Sequence, residues 1–325
     1  MFITLLISIL SLLAFPSASM AIDGAYLYQP EFTQQGQQYL ELLSKVETDD
    51  LQTLPTDQQT ACIKRYSKIL SSEIIDIKIA LGYFDWTTGS SVLNYGISPS
   101  IDPAGYSALR DLLLRPCYGN LRFCGFTQSE GDPTLFERQV KIFGKNYSVR
   151  LELHFSSFSE FYYNNTDTYK KQQLQKSQSM DDWFADALKK SNAVFYFGHS
   201  RNGGGPDFYP PRLNATQRVN YDYYETYKPG LKKLLTDLQN PKQQTPVLGL
   251  MSCASREHFL KYLRNIAPGT GLITSTAVVQ VQDVYTAMLG AIDALLRGQC
   301  QKSFYHEIRM ISDNQENITM DGMFQ

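Results

Sequence analysis

Two residues that could form a catalytic pair each follow a short apolar segment. Residues 193–197 read Ala-Val-Phe-Tyr-Phe and lead to His199, and residues 246–251 read Pro-Val-Leu-Gly-Leu-Met and lead to Cys253. A thiolate can attack a carbonyl carbon, and a neighbouring imidazole controls the protonation of that thiol and of the leaving group. The two residues therefore suit nucleophilic hydrolysis, with Cys253 as nucleophile and His199 as general acid and base.

The pattern around these segments predicts a parallel β-sheet covered by helices. Strands that are apolar throughout, as both of these are, are typical of strands buried on both faces. The 54 residues from His199 to Cys253 leave room for a loop and one crossover helix, so the two strands can be neighbours. Their carboxyl ends would then meet at one edge of the sheet, where the sites of open α/β folds lie. From residue 180 onward the predicted elements are helices 180–190, 229–238, 257–265 and 281–297 and strands 193–197, 246–251 and 271–274.

The first half of the chain predicts a different organisation. Residues 22–75 have polar sequence with apolar residues at spacings of three and four, which favours helices, including one over 63–75. Residues 86–105 are rich in Gly, Ser and Pro and indicate a boundary or a long surface loop. The following segments predict a helix over 106–114, a short strand over 121–126 and a hairpin of strands 136–142 and 147–156.

The two strand ends resemble those of the caspase-like cysteine peptidases, the group that contains caspases, legumains and gingipains. In that family an apolar strand ends in His-Gly, and a second apolar strand ends in the nucleophilic Cys about 50 residues later. The resemblance covers residues 180–275 and implies a caspase-like, mostly parallel sheet flanked by helices in an α/β domain over 106–325. It also implies cleavage of peptide bonds, with the backbone N–H groups of Ser200 and Cys253 in the oxyanion hole. The chain departs from the family at Ser200, where the family has Gly.

Further polar residues lie close in sequence to the two strand ends. Arg201, Asp207 and Ser255 are candidate substrate-binding residues. Arg201 could bind a substrate carboxylate, or it could pair with Asp207. The Tyr- and acid-rich segment 221–227 could line a substrate groove or form an ordered surface loop.

Three other interpretations compete with a cysteine peptidase. The chain could be a binding protein that keeps a caspase-like scaffold without catalysis. Residues 198–202 nearly match the Gly-x-Ser-x-Gly motif of serine hydrolases, with Ser200 as nucleophile, but Asn202 replaces the second Gly and the glycines that follow disfavour the required helix. Cys253 could also be a small core residue, and His199 could simply bond to backbone. The four His residues are scattered and lack a metal-binding motif, so neither a metal nor a cofactor is expected.

Composition restricts the partners. The chain has 325 residues, of which 43% are apolar and 19% charged, as in globular proteins of one or two domains. The net charge of −2 gives no reason to expect a nucleic-acid partner. No internal apolar run reaches the length of a membrane span, so no membrane contact is expected beyond the N-terminal segment. The expected partner is a peptide or protein substrate.

The N-terminal segment resembles a secretory signal peptide. Residues 1–21 contain no charged side chain, and small residues at Ser19 and Ala21 fit a cleavage site after Ala21. The absence of Lys and Arg near the start leaves an uncleaved anchor as the alternative. Cleavage would give an exported protein, periplasmic or secreted, with a helical N-terminal region and loop over 22–105.

Export would expose the five cysteines to oxidation. The Gly-Asn turn between Cys117 and Cys124 makes that pair a candidate disulfide, and Cys62 with Cys300 is a candidate second pair. Cys253 would then remain a free thiol. The alternative is that all five are reduced and mostly buried.

Overall fold

The computed structural model describes residues 25–84, 101–240 and 244–325. The predicted signal peptide over 1–21 and residues 86–100 of the predicted boundary loop lie outside these ranges. The helices are α1 (Ala25–Leu43), α2 (Thr56–Ile69), α3 (Ile101–Leu113), α4 (Tyr162–Thr166), α5 (Lys170–Lys190), α6 (Tyr221–Tyr227), α7 (Pro229–Asp237), α8 (Ser255–Ile266), α9 (Val281–Arg297), α10 (Gln301–Glu307) and α11 (Ser312–Asn317). The strands are β1 (Ile74–Leu81), β2 (Thr127–Gln128), β3 (Leu135–Ile142), β4 (Lys145–Phe155), β5 (Ala193–Phe197), β6 (Val247–Met251), β7 (Gly271–Ser275) and β8 (Ile318–Asp321).

All eight strands form one mixed sheet in the order β2-β3-β4-β1-β5-β6-β7-β8. The central strands β4, β1, β5, β6 and β7 are parallel to one another, whereas β8 and the β2-β3 end are antiparallel to their neighbours. Every residue of β5, β6 and β7 is buried, because helices cover both faces of the sheet. The predicted α/β class, a mostly parallel sheet flanked by helices, is confirmed.

Alternation along the strands divides the core into two layers. Phe195 and Phe197 of β5 point into one layer, which contains α1, α2, α3 and α9. Val194 and Tyr196 point into the other layer, which contains α5, α7 and α8. Because successive side chains of a strand point to opposite faces, an unbroken apolar strand supplies both layers.

The predicted N-terminal helical region contributes to this same core. The buried Arg297 of α9 donates from Nη2 to the Leu43 carbonyl (2.5 Å) and from Nη1 to the Val46 carbonyl (2.7 Å), and so holds the end of α1. The helix predicted over 63–75 is wrong at its end: α2 stops at Ile69, and β1, a central strand, begins at Ile74. The β-branched residues of this segment alternate with polar ones, which is a strand pattern.

The strand predicted over 121–126 is also wrong. The backbone N–H groups of Arg122 and Phe123 donate to Oδ1 of the buried Asp293, at 2.5 and 2.7 Å. Since these groups are bound to a side chain, they do not join a strand ladder. On the edge of β3 that faces away from β4, only the two residues of β2 pair with it. The structure contains both predicted disulfides, Cys62–Cys300 and Cys117–Cys124, and leaves Cys253 free.

Candidate active site

His199 and Cys253 occupy equivalent positions on two neighbouring strands. β5 and β6 pair in parallel, with Phe197 opposite Met251 as the last register pair. The backbone N–H of Gly198 donates to the Met251 carbonyl at 3.2 Å, which continues the pairing by one residue. His199 and Cys253 each come two residues after that last pair. The two residues therefore leave the sheet side by side at its carboxyl edge.

Both side chains are half-buried. The Cys253 Sγ lies 3.5 Å from the Val279 carbonyl oxygen. The His199 ring packs on Phe84, with ring centroids 4.7 Å apart, and the His199 carbonyl accepts a hydrogen bond from the Tyr196 hydroxyl at 2.9 Å. The backbone and the ring of His199 are thus each fixed by an aromatic residue.

A buried carboxylate holds the segment that carries Phe84. Asp102 accepts hydrogen bonds from the backbone N–H groups of Ser156 (3.0 Å), Ser157 (2.7 Å) and Phe84 (3.4 Å). Burial raises the pKa of Asp102 to about 7, against the opposing effect of these hydrogen bonds. Asp102 thereby connects the loops that follow β1 and β4 at the edge of the sheet where His199 lies.

The backbone at Ser200 suits an oxyanion site. Ser200 has φ −75° and ψ −17°, a conformation that any residue adopts, so Gly is not required there. Its carbonyl accepts hydrogen bonds from Gly203 N and Gly205 N, which close the turn. Within the described residues, the backbone N–H groups of Ser200 and Cys253 donate to no other protein group. Neither donor is therefore used by the protein in the described part of the chain, and Ser200 itself is 4% exposed.

The chain after Cys253 turns sharply into a helix. Ala254 has φ +45°, a left-handed conformation that is unfavourable for residues other than Gly, Asn and Asp. Helix α8 begins at the next residue, and the positive end of its dipole faces this turn. Strained backbone of this kind is often found at functional sites.

Arg201 and Asp207 pair with each other. Arg201 Nε lies 3.3 Å from Asp207 Oδ2, and Arg201 Nη2 donates to the Tyr83 carbonyl at 3.3 Å. The Arg201 side chain is only 1% exposed. Burial raises the pKa of Asp207, although the charge of Arg201 opposes this shift. The structure thus contains the Arg201–Asp207 ion pair, which was one of the two alternatives from the sequence. A role of either residue in substrate binding stays a prediction.

Ser255 is fully buried between strand ends. Its hydroxyl donates to the Leu250 carbonyl at 2.7 Å and accepts from Ser275 N at 2.9 Å. These contacts join the ends of β6 and β7. In this conformation the hydroxyl faces the protein interior, and a role in substrate binding is a prediction that these contacts do not support.

The Tyr-rich segment 221–227 forms helix α6 rather than a loop. The Asn220 side chain caps it by accepting a hydrogen bond from Tyr223 N at 3.0 Å. Tyr224 packs against the glycine run that follows His199: a Cβ on Gly204 would lie 2.6 Å from that of Tyr224. The glycines therefore allow α6 to approach the turn after His199 closely.

Sequence reasoning missed Phe84 and Asp102. Neither carries a local motif. The structure brings Phe84 into contact with His199 and Asp102 into a hydrogen bond with the backbone of Phe84. Among the described residues, no group of three or more His, Cys, Asp or Glu side chains is arranged to hold a metal ion. No helix in the described ranges is long and apolar enough to cross a bilayer.

No protein-family model matches the chain, and no significant match was found among curated proteins or solved structures. The assignment of the fold is therefore based on the topology of the sheet alone. An α/β protein with a mostly parallel eight-stranded sheet flanked by helices is compatible with a caspase-like architecture.

Proposed function

We propose that this chain is an exported, caspase-like cysteine peptidase that hydrolyses peptide bonds. The observation that carries the proposal is the shared register of β5 and β6, in which His199 and Cys253 each follow the last register pair by two residues at the carboxyl edge of the sheet. The same assignment is supported by the backbone N–H groups of Ser200 and Cys253, which have no protein acceptor among the described residues.

The chemistry has two stages. His199 takes the proton of the Cys253 thiol, and the thiolate attacks the carbonyl carbon of the scissile bond. The N–H groups of Ser200 and Cys253 stabilise the negative charge on the carbonyl oxygen, and the dipole of α8 contributes to the same field. His199 then gives its proton to the leaving amine, which breaks the C–N bond and leaves a thioester. A water molecule, deprotonated by His199, hydrolyses the thioester and restores the thiol.

Two observations support the context of this proposal. The disulfides Cys62–Cys300 and Cys117–Cys124 are compatible with an oxidising compartment and hence with export. They also occupy the other four cysteines, so that Cys253 alone remains a thiol.

Thiol-reactive peptide probes test the proposal. A panel of peptidyl acyloxymethyl ketones with varied side chains would be applied to the native chain, with Cys253→Ala and His199→Ala as comparisons. We expect labelling on Cys253 in the native chain, no labelling of Cys253→Ala, and strongly reduced labelling of His199→Ala. Ser200→Ala should still be labelled.

Two results would overturn the proposal. If Cys253 reacts with the probes only after denaturation, the chain is better explained as a binding protein on this scaffold. If a fluorophosphonate labels the native chain and Ser200→Ala abolishes that labelling, Ser200 is the nucleophile.

A further inference from the structure

A cavity of about 620 Å³ lies beside the loop that carries His199. It is formed by α4 and α5 on one side and by residues 207–212, α6 and the start of α7 on the other. Its volume is within the range of small-ligand pockets. The lining residues used below are Leu174, Asp207, Tyr209, Arg212, Tyr223 and Tyr224.

Hydrogen bonds link the cavity lining to the end of β1 and to the backbone of His199. Asp207, which lines it, accepts a hydrogen bond at its carbonyl from Tyr83 N (2.9 Å), two residues beyond the end of β1. The Tyr196 hydroxyl accepts from Asp207 N at 3.0 Å and donates to the His199 carbonyl. The sheet order β1-β5-β6 puts the end of β5, which leads to His199, between the end of β1 and the end of β6, which leads to Cys253.

That position defines which part of a peptide could reach the cavity. The general acid protonates the leaving amine, so the chain that leaves must extend past His199 and away from the nucleophile. A side chain of the leaving segment is therefore directed toward the end of β1, and Asp207 of the cavity lining is bonded to Tyr83 just beyond that end.

The cavity walls favour a flat apolar group. Tyr209, Tyr223 and Tyr224 contribute rings, and Leu174 and three prolines, Pro210, Pro211 and Pro229, contribute aliphatic surface. Aromatic rings pack well on such surfaces. The fixed backbone supports this shape, because Arg212 N donates to the Tyr224 hydroxyl at 3.0 Å and Tyr209 N donates to Asp207 Oδ1 at 3.1 Å.

The polar lining groups disfavour a basic side chain. Asp207 is already paired with Arg201, while Arg212 and Lys170 add positive charge to the lining. The amides of Gln173 and Asn165 are engaged in bonds within the protein, to Ser156 and to Tyr83 among others. The net positive charge of the lining would repel a cationic ligand, whereas it would not repel a neutral ring.

We propose that this cavity binds an aromatic side chain, of the phenylalanine or tyrosine type, from the peptide segment that leaves during hydrolysis. The assignment to the leaving segment rests on the proposed function, whereas recognition of an aromatic ring by the cavity does not.

Direct binding tests the ring recognition. N-acetyl-phenylalaninamide would be titrated against the full chain carrying Cys253→Ala, with N-acetyl-glycinamide and N-acetyl-lysinamide as matched probes, and followed by saturation-transfer NMR. We expect the phenyl probe to bind at least about tenfold more tightly than either control, since burial of a ring contributes that much.

Variants of the lining test the same site. Tyr223→Ala and Leu174→Ser should weaken binding of N-acetyl-phenylalaninamide about tenfold. Ile63→Ser, which alters another exposed aliphatic residue, on α2, should leave binding unchanged. Equal binding of the three probes would overturn the proposal.

Partition of the acyl-enzyme tests the assignment to the leaving segment. A peptidyl thioester would be hydrolysed in the presence of phenylalaninamide or glycinamide, and the ratio of aminolysis to hydrolysis measured. We expect phenylalaninamide to capture the acyl group about tenfold more efficiently, and Tyr223→Ala to remove that preference. Hydrolysis with equal capture of both amines would overturn this assignment while the peptidase function stands. Absence of any hydrolysis, with Cys253 unlabelled by the ketone probes, would overturn the function and the assignment together.

Discussion

Phe84 packs against the imidazole of His199, with ring centroids 4.7 Å apart and ring planes inclined at 45°. Phe84 is anchored in turn: its N–H donates to Asp102, and its ring also contacts Phe197 of β5 at 5.1 Å. The loop after β1 thus forms one wall beside His199. This wall restricts the orientations of the imidazole.

Replacement of Phe84 should reduce turnover more than substrate binding. An aromatic pair contributes about 0.5–1.5 kcal/mol, and each 1.4 kcal/mol corresponds to about tenfold in rate. We therefore expect Phe84→Ala to lower kcat by about two- to tenfold, with little change in KM. The measurement is the hydrolysis of a peptide that the native chain accepts as substrate. Phe84→Leu, which keeps an apolar side chain, should show a smaller decrease in kcat. An unchanged kcat in Phe84→Ala would show that the ring does not position His199.

The central sheet was predictable because its strands are short and apolar throughout. β5 matches its predicted bounds of 193–197, and helix α9 matches 281–297, because each is bounded by clear breaks in pattern. β1 was missed because it follows α2 after only four residues, without Gly or Pro to mark the end of the helix. The segment 121–126 is apolar enough for a strand, but the carboxylate of Asp293, far along the chain, binds its N–H groups.

The candidate site was predictable only where it depends on register. The positions of His199 and Cys253 follow from two neighbouring parallel strands of equal length. Asp102, by contrast, bonds Ser156 across 54 residues of chain, and no local pattern marks that contact. The Arg201–Asp207 pair lies within one loop, and proximity in sequence was enough to suggest it.

The Cys253 thiol should be reactive in the folded chain. An imidazole beside a thiol favours the thiolate, which is the form that reacts. We expect iodoacetamide to alkylate Cys253 near neutral pH faster than an ordinary thiol, and His199→Ala to slow that alkylation by about tenfold, as measured by mass spectrometry. His306→Ala, which alters a histidine on α10, serves as the control and should leave the rate unchanged. A thiol that is unreactive until the protein unfolds would favour a packing role.

The two disulfides should differ in their contribution to stability. Cys62–Cys300 closes a sequence separation of 238 residues and Cys117–Cys124 one of 7 residues. The chain-entropy model gives roughly 5 kcal/mol for the long loop and roughly 2 kcal/mol for the short one. Two double variants would be compared by urea unfolding, one with both Cys62 and Cys300 replaced by Ala and one with both Cys117 and Cys124 replaced by Ala. The first should lose more of the free energy of unfolding than the second. Mass mapping of non-reduced peptides checks the pairing itself, and a disulfide that includes Cys253 would contradict it.

Glu307 belongs to a buried network in which one guanidinium lies between two carboxylates. Arg297 Nε is 2.6 Å from Asp293 Oδ2, and Arg297 Nη1 is 3.6 Å from Glu307 Oε1. Burial raises the pKa of Asp293, although the charge of Arg297 and the hydrogen bonds from the N–H groups of Arg122 and Phe123 oppose this shift. Glu307 accepts a hydrogen bond from Gln299 at 2.6 Å and has Asp49 as a further negative neighbour. Burial, with the charge of Asp293, raises the pKa of Glu307 to about 8.

The free energy of unfolding should therefore fall as pH rises from about 4.5 to 8. In that range the folded chain keeps a proton on Glu307 that the unfolded chain has released, and folding is favoured where the folded state binds more protons. Glu307→Gln, which resembles the protonated acid, should reduce this dependence and make the protein more stable than the wild type at pH 8, and the remaining decline comes from Asp102, whose pKa is raised to about 7. The measurement is the urea midpoint of unfolding at several pH values. Glu41→Gln, which alters an exposed glutamate, is the control and should keep the wild-type dependence of stability on pH. If Glu307→Gln retains the full decline between pH 5 and 8, another group is responsible, and Glu307 is ionised in the folded protein.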